Sequence, residues 1–210
     1  MPTVMSFDNI NRLEQRRKIY EEYYAPMRIT ESQKRKRALL AVEIEDAVLF
    51  LFALYLVARE YGQQVDRKSA ERQYREQLRE ALESAGIRGT VIRDYLDDIA
   101  DEEVRVTEER YKEDDYWTSS DRATTIAQND ANTAWNGEEY ADAVASGKTM
   151  KQWLTMKDER VRETHVAVDD TSIPIDEYFV VGNSLMRYPR DLDCTDFSEV
   201  VNCRCSVQYF

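Results

Sequence analysis

The sequence predicts an α+β fold, with a helical N-terminal half and a small C-terminal α+β module of short strands. The first observation is that apolar residues in the first half repeat at three- and four-residue spacing, which is typical of amphipathic helices. The second is that Pro174, Gly182 and Pro189 divide the later sequence into shorter segments rich in β-forming residues. We therefore divide the chain into a helical region, residues 1–115, and a C-terminal module, residues 116–210.

Helices are predicted along most of the N-terminal region. The first spans about residues 7–24 and ends near Pro26. Thr30 and Gln33 have the spacing of a capping box, which predicts that a long helix begins there and continues to about Tyr61. Its inner stripe consists of Leu40, Ile44, Val48, Leu51 and Tyr55.

Three more helices are predicted before Gly147, over about residues 66–84, 90–111 and 118–145. The inner face of the second consists of Val91, Tyr95, Ile99 and Val106. Thr118 and Asp121 resemble a second capping box that opens the third.

The C-terminal module is expected to contain strands near residues 178–181, 184–188 and 205–209. The helix that begins at Thr118 should pack against them. Three asparagines share one face of that helix: Asn129, Asn132 and Asn136. Their amides are expected either to bond to the module or a neighbouring protein, or to form a solvated stripe.

The charge of the chain argues against general nucleic-acid binding. Its formal net charge is -12, and phosphate backbones repel such a protein unless it has a local basic patch. The densest basic run, residues 34–37, has acidic neighbours on the same predicted helix, so we interpret it as a solvated face. DNA is therefore an expected neighbour and not an obvious ligand.

Neither an export signal nor a membrane contact is expected. Residues 1–11 lack an apolar core behind a basic start, so they do not resemble a signal peptide. The most apolar run, residues 47–58, is shorter than the ~20 residues that cross a bilayer. We expect a buried helix there, covered by other helices or by a partner protein.

The segment from Lys151 to Cys205 carries a series of spaced residues that local structure alone does not require. In order these are Lys151, Trp153, Asp158, Arg160, Arg162, His165, Asp176, Pro189, Asp191, Asn202, Cys203, Arg204 and Cys205. The series resembles the signature of the phage Mu F-like head protein family, and the resemblance covers about residues 118–210.

The resemblance implies a minor head protein that lies near the portal and acts in procapsid assembly and in DNA packaging or delivery. The implied partners are the portal protein and capsid or scaffold proteins, contacted by the helical region and above all by its long helix. The implied location is the virion, with assembly in the host cytoplasm.

Two turns depart from the usual family pattern. Relatives commonly have Asp-Gly where this chain has Asp169-Asp170, and Pro-Gly-Asp where it has Pro189-Arg190-Asp191. Glycine tolerates a positive φ, whereas aspartate and arginine resist it. We therefore expect these two loops to bend differently.

The cysteines and the only histidine suggest a structural zinc site. Cys203 and Cys205 would project from the same face of a strand, and with Cys194 and His165 they would supply a Cys₃His set. Their spacing matches no standard Cys-x-x-Cys knuckle, so the alternative is that the thiols are small buried hydrophobes. Three cysteines without an export signal indicate a reducing compartment and not a disulfide scaffold.

The run from Asp158 to His165 permits two interpretations. In a nucleic-acid hydrolase or toxin-like enzyme, His165 would act as a base and Arg160 or Arg162 would hold a phosphate. In a structural protein, the same residues would form buried ion pairs. We prefer the structural interpretation and assign no catalytic residue, because the sequence offers no convincing nucleophile for His165.

Overall fold

The computed structural model describes residues 7–210, with side chains from residue 13 onward except at position 98. Residues 1–6, part of the segment in which no export signal is expected, lie outside this range. The longer helices are α1 (Phe7–Tyr24), α2 (Glu31–Glu60), α3 (Arg67–Ser84), α4 (Thr90–Tyr95), α5 (Asp101–Arg110) and α6 (Ser120–Ala145). The C-terminal elements are β1 (Met150–Leu154), α7 (Glu163–Val166), β2 (Ser172–Pro174), β3 (Phe179–Val181), β4 (Ser184–Met186), α8 (Phe197–Val200) and β5 (Ser206–Tyr209). This arrangement confirms the predicted α+β class.

Helix α2 forms the centre of the helical part. The predicted capping box is confirmed, since the Gln33 amide donates to Thr30 Oγ1 at 3.3 Å and the Thr30 amide donates to Gln33 Oε1 at 3.0 Å. All five residues of the predicted inner stripe are buried. Helices α1, α3 and α6 pack around α2, so helices of the same chain cover most of the apolar run. No helix of the described residues has the length and apolarity needed to cross a membrane.

The helix predicted over residues 90–111 is interrupted. A π-helical turn, Leu96–Ala100, separates α4 from α5. This turn adds a residue to the helical repeat, so the positions buried after Tyr95 are Leu96, Ala100, Val104 and Thr107. The predicted inner face was therefore correct at Tyr95 and wrong at Val106, which is only half-buried.

The predicted start of α6 was wrong by one residue. The N-cap is Ser119, whose Oγ accepts from the Arg122 amide at 3.2 Å. Thr118 instead ends a 3₁₀ turn, Asp115–Thr118, which holds that residue outside the helix. Local hydrogen bonding of the acidic turn thus decides which of two adjacent hydroxyl residues caps the helix.

The strands form two small antiparallel sheets, in the order β2-β1-β5 and β3-β4. Strand β1 is central in the first sheet, with Trp153 opposite Val207 of β5. Neither β1 nor β2 was predicted, since the sequence of β1, Met-Lys-Gln-Trp-Leu, contains no β-branched residue. The strands expected near 178–181, 184–188 and 205–209 are present with slightly shorter bounds.

Helix α6 belongs to both parts of the molecule. Its alanines, Ala123, Ala127, Ala131 and Ala134, are buried in the core formed with α1 to α5. A second core surrounds Trp153 and includes Phe179, Met186 and all three cysteines, and Tyr140 of α6 packs against it. The predicted boundary between the helical region and the C-terminal module, at residues 115 and 116, therefore lies between α6 and the helices that pack against it.

The expectation that the two glycine-replaced loops bend differently was wrong. Asp170 has a φ of 58° and Arg190 a φ of 64°, the left-handed conformation that glycine adopts most easily. Arg190 is held there by bonds from Nη1 to Asn129 Oδ1 at 2.8 Å and to the Val200 carbonyl at 3.0 Å. Side-chain contacts thus replace the conformational freedom of glycine.

Candidate functional site

The histidine and two of the cysteines lie together in the second core. His165 lies in the short helix α7, and Cys203 and Cys205 precede β5. His165 Nδ1 is 3.4 Å from Cys205 Sγ and 3.5 Å from Cys203 Sγ. All three residues are buried, with exposures of 1% for His165 and 3% for each cysteine. We call these three residues the His-Cys-Cys cluster.

Cys194, the fourth residue of the expected metal set, lies outside the cluster. The candidate ligand atoms of the His-Cys-Cys cluster all lie within 4.8 Å of one another, and Cys194 is not among them. Its Sγ donates instead to the Asp196 carbonyl at 3.5 Å. Cys194 is buried in the same core, which fits the alternative of a small hydrophobic side chain.

Glu199, which the sequence analysis did not identify, orients the histidine. Its Oε2 lies 3.0 Å from His165 Nε2 and accepts from Thr164 Oγ1 at 2.8 Å. A Cβ at Gly182 would lie 2.7 Å from Glu199 Oε1, so Gly182 leaves the room that the carboxylate occupies. Glu199 is distant from His165 along the chain and belongs to no recognisable motif, so no sequence signal pointed to it.

The three side chains of the cluster shift one another's pKa values. Burial lowers the pKa of His165, but the hydrogen bond to Cys203 and the charges of Cys203 and Glu199 outweigh it and raise that pKa. Hydrogen bonding from Cys205 holds the pKa of Cys203 well below its usual value, against the effect of burial and with further help from His165. The bond with Cys203, together with burial, raises the pKa of Cys205. Cys203 therefore has the greater thiolate character of the two.

The cluster is enclosed on its sheet side and almost closed on the other. The Trp153 ring stands edge-on to the His165 ring at 5.6 Å and to the Phe179 ring at 5.1 Å. A cavity of about 10 Å³ adjoins His165 and both cluster cysteines, and its other walls include Arg160 and Arg162. A space of that size holds about one water molecule.

The arginines of the motif are not arranged as one phosphate clamp around His165. Arg204 makes a bidentate pair with Asp158, at 2.6 and 2.8 Å, which holds the pKa of Asp158 below its usual value. Arg162 donates to the Val201 carbonyl. Arg160 is exposed and, with Arg162 and Arg204, lines an adjoining cavity of about 370 Å³, which His165 does not line.

Lys151, Asp191 and Pro189 hold the segment after β4 against the sheet. Lys151 is fully buried, and its Nζ donates to the Arg187 carbonyl at 2.8 Å. Asp191 is buried and accepts from the Arg187 amide at 2.8 Å and from its guanidinium. The Pro189 carbonyl accepts from Asn136 of α6 at 2.9 Å. Asp176, by contrast, is exposed on the turn after β2.

The asparagine face of α6 binds the C-terminal module, one of the two expected outcomes. Asn132 Nδ2 donates to the carbonyls of Cys203 and Cys205 at 3.4 and 3.3 Å. Asn136 Nδ2 donates to the Cys205 carbonyl at 3.2 Å. Asn129 Nδ2 donates to Asn202 Oδ1 at 2.8 Å. Helix α6 therefore fixes the backbone that carries both cluster cysteines.

The opposite side of the same asparagines is held by a buried arginine. Arg37 of α2 has no exposed surface, and its guanidinium bonds to the side-chain oxygens of Asn132 and Asn136 at 3.0 and 2.9 Å. It also pairs with Glu139 at 2.8 Å. The interpretation of residues 34–37 as a solvated face was therefore wrong for Arg37, whose charge is needed inside the molecule.

Comparison with protein families gives one informative match. The model described as Phage Mu protein F like protein matches residues 76–208, from within α3 to the last strand. The matched region contains every motif residue described above and extends into the helical part of the chain. Comparison with curated proteins and with solved structures gives no match.

Proposed function

Because the chain belongs to the phage Mu protein F-like family, we propose that it is a minor head protein acting near the portal in procapsid assembly and in DNA packaging or delivery. The observation that carries this proposal is the family match over residues 76–208, which includes α6 and all but the last two residues of the strand module. The proposed location is the virion, reached by assembly in the host cytoplasm. The proposed partners are the portal protein and capsid or scaffold proteins of the same phage.

The contacts of the motif residues support a structural role. Lys151 and Asp191 are buried and bonded to the main chain, and Asp158 is paired with Arg204. Such bonds orient loops and sheet edges. Removing the partner of a buried charged group lowers the free energy of unfolding by about 3 to 5 kcal/mol. The contacts of these motif residues therefore explain how the loops of the module are held in place. They do not require that the module catalyse a reaction.

The alternative, a nucleic-acid hydrolase using His165 and the arginines, has little geometric support. His165 is buried, and the adjoining cavity of about 10 Å³ admits no nucleotide. Sites for small organic ligands are usually larger by more than a factor of ten, roughly 300 Å³ or more. A nucleotide would therefore reach His165 only if α7 or the cysteine segment moved.

We place the contact with the portal or capsid at a groove between α2 and α3. The groove has a volume of about 380 Å³ and is lined on the α2 side by Phe50, Leu54 and Val57, and on the other by Val65. Val57 is 52% exposed although it continues the apolar run of α2. A groove whose α2 wall is apolar suits a helical or extended segment of a partner.

Co-expression with the portal protein of the same phage tests the proposal. Affinity capture of the folded chain should retain the portal protein or a capsid protein, and Val57→Glu should reduce retention at least tenfold by placing a charge in the groove. Val180→Glu is the matched control, because Val180 is 62% exposed on the outer face of β3, away from the groove.

The possible outcomes distinguish the assembly role of the chain from the location of its contact with a head protein. A folded wild-type chain that retains no head protein would contradict the assembly role. Retention lost in Val180→Glu but kept in Val57→Glu would leave the role standing and move the contact to the β3-β4 hairpin. Circular dichroism of both variants identifies any loss of retention caused by unfolding.

A further inference from the structure

The His-Cys-Cys cluster has the donor set of a zinc site. Zinc is bound in proteins mainly by cysteine sulfur and histidine nitrogen, and buried groups of this kind close small folds. In a tetrahedral site, a nitrogen about 2.0 Å and a sulfur about 2.3 Å from the metal lie about 3.5 Å apart. His165 Nδ1 lies 3.4 Å from Cys205 Sγ and 3.5 Å from Cys203 Sγ. The two nitrogen–sulfur distances thus already match the spacing that the metal would require, and all three donor atoms lie within 4.8 Å of one another.

The histidine is oriented as a metal ligand would be. Zinc-binding histidines usually donate the N–H of the second ring nitrogen to a carboxylate or carbonyl, which fixes the tautomer. Glu199 Oε2 lies 3.0 Å from His165 Nε2 and is itself held by Thr164 Oγ1 at 2.8 Å. With the proton on Nε2, the lone pair of Nδ1 faces the two sulfurs.

We propose that His165, Cys203 and Cys205 bind a zinc ion through Nδ1 and two thiolates, with a solvent molecule as the fourth ligand. The cavity of about 10 Å³ beside the cluster is large enough for that solvent molecule and too small for an organic substrate. Zinc binding leaves both cysteines as thiolates and Nδ1 of His165 without a proton, and the displaced protons leave to solvent. The metal ion and its two thiolates therefore carry no net charge.

The position of the cluster explains what the metal would do. Three short segments pack mainly against the second core: α7, α8 and the segment before β5. A core this small gains stability from a cross-link between distant parts of the chain. The zinc ion would tie α7 to the start of β5, while Glu199 ties α8 to the same point.

Cys203, His165 and Glu199 could form a cysteine nucleophile, a histidine base and an orienting carboxylate, but access argues against catalysis. Cys203 Sγ would have to reach an electrophile, whereas Cys203 is 3% exposed and the adjoining cavity holds about one water molecule. A metal ion with one bound solvent molecule fits that space. The enclosure therefore favours metal binding over covalent catalysis.

Metal analysis of the full chain, purified without chelators, tests the proposal. The wild-type chain should contain about one zinc ion per molecule, and Cys203→Ser and Cys205→Ser should each lose most of it. Cys194→Ser is the matched control, since Cys194 is equally buried in the same core but lies outside the cluster. This variant should keep its zinc.

Cobalt substitution of the wild-type chain gives an independent readout if the serine variants fail to fold. Co²⁺ at this site should show the absorption of thiolate-to-cobalt charge transfer, and a chelator should abolish it and lower the melting temperature. A folded wild-type chain that holds no zinc after incubation with the metal, and shows no such absorption with cobalt, would overturn the proposal. Equal loss of zinc in Cys194→Ser and Cys203→Ser would also overturn it.

Discussion

Arg190 and Asp170 adopt the same left-handed backbone conformation in different surroundings. Arg190 is 5% exposed and bonds to Asn129 and the Val200 carbonyl, whereas Asp170 is exposed and pairs with Arg28 and Lys157 at the surface. The left-handed conformation costs a non-glycine residue about 1–2 kcal/mol. Buried bonds from a charged group offset that cost, but exposed ion pairs contribute little.

The same substitution should therefore have opposite effects at the two positions. Arg190→Gly removes the backbone strain but leaves buried acceptors without a donor, so the free energy of unfolding should fall by about 2 kcal/mol. Asp170→Gly removes the strain and loses only surface pairs, so it should be neutral or stabilising by up to about 1 kcal/mol. Urea unfolding of both variants measures the difference, and equal losses would contradict this explanation.

The ammonium group of Lys151 lies inside the protein, and burial destabilises its charged form. Burial lowers its pKa to about 8, although Asp191 lies close enough to oppose the shift. Between pH 8 and the usual value of 10.5, the unfolded chain binds more protons than the folded chain. The contribution of Lys151 to stability therefore rises with pH through that window.

Comparison with Lys151→Met isolates this contribution. The free energy of unfolding of the wild type, minus that of the variant, should increase by about 2 kcal/mol between pH 7 and pH 10. The rise has this sign because the buried ammonium becomes neutral in the folded state first. Chemical unfolding across the range measures it, and a constant difference would show that Lys151 is not perturbed.

At the scale of elements, α5 and α6 meet at two carboxyl groups, of which Asp130 is buried and Glu103 is half-buried. Glu103 of α5 accepts a hydrogen bond from Tyr74 of α3, and burial and the charge of Asp130 raise its pKa well above the usual value. Burial also raises the pKa of Asp130, which is 5% exposed on α6. Two carboxyl groups in such a place cannot both be ionised cheaply, so we expect one of them to keep its proton above the usual carboxyl range.

The folded chain should therefore lose stability as the pH rises above the usual carboxyl range. The raised pKa values mean that the folded chain holds a proton that the unfolded chain has released, and that advantage is lost as the pH rises through the folded values. Asp130→Asn should flatten the fall in melting temperature between pH 5 and pH 8. Glu102→Gln, on the exposed side of α5, should leave the slope unchanged. A wild-type slope of zero would contradict the retention of a proton by these two groups.

The elements that the sequence predicted are those specified by local signals. Helix α2 begins at a capping box and has a continuous apolar stripe, so its bounds and inner face were correct. The π-helical turn at Leu96–Ala100 and strand β1 depend on packing against distant segments, and no local residue pattern marks either. Sequence reasoning therefore fails where tertiary contacts determine the backbone.

The same distinction applies to the candidate site, where some residues were identified from the sequence and others only from the fold. His165, Cys203 and Cys205 are conspicuous residue types, so they were identified from the sequence. Glu199 and Arg37 resemble ordinary surface charges in the sequence, and only the fold shows that one orients His165 and the other is buried against α6. The charged residues that matter most inside this protein are thus the least recognisable in its sequence.

At the scale of the whole molecule, α6 joins the helical part to the strand module. One of its faces is buried against α2 and the other helices, and its asparagines hold the main chain of the cysteine segment. Arg37 of α2 bonds to two of the same asparagines. The two parts therefore share a layer of contacts, and the helical core is incomplete without α6.

This arrangement predicts that the two parts unfold together. Residues 116–210 alone would expose the alanine face of α6 and leave Glu139 without Arg37, so this fragment should show no cooperative thermal transition. The full chain should melt in one transition that has the same midpoint by far-ultraviolet circular dichroism and by tryptophan fluorescence. Trp117 and Trp135 lie in the helical part and Trp153 in the strand core, so the fluorescence reports on both. A fragment that melts cooperatively at the temperature of the full chain would show instead that the module folds independently and that α6 needs no cover from α2.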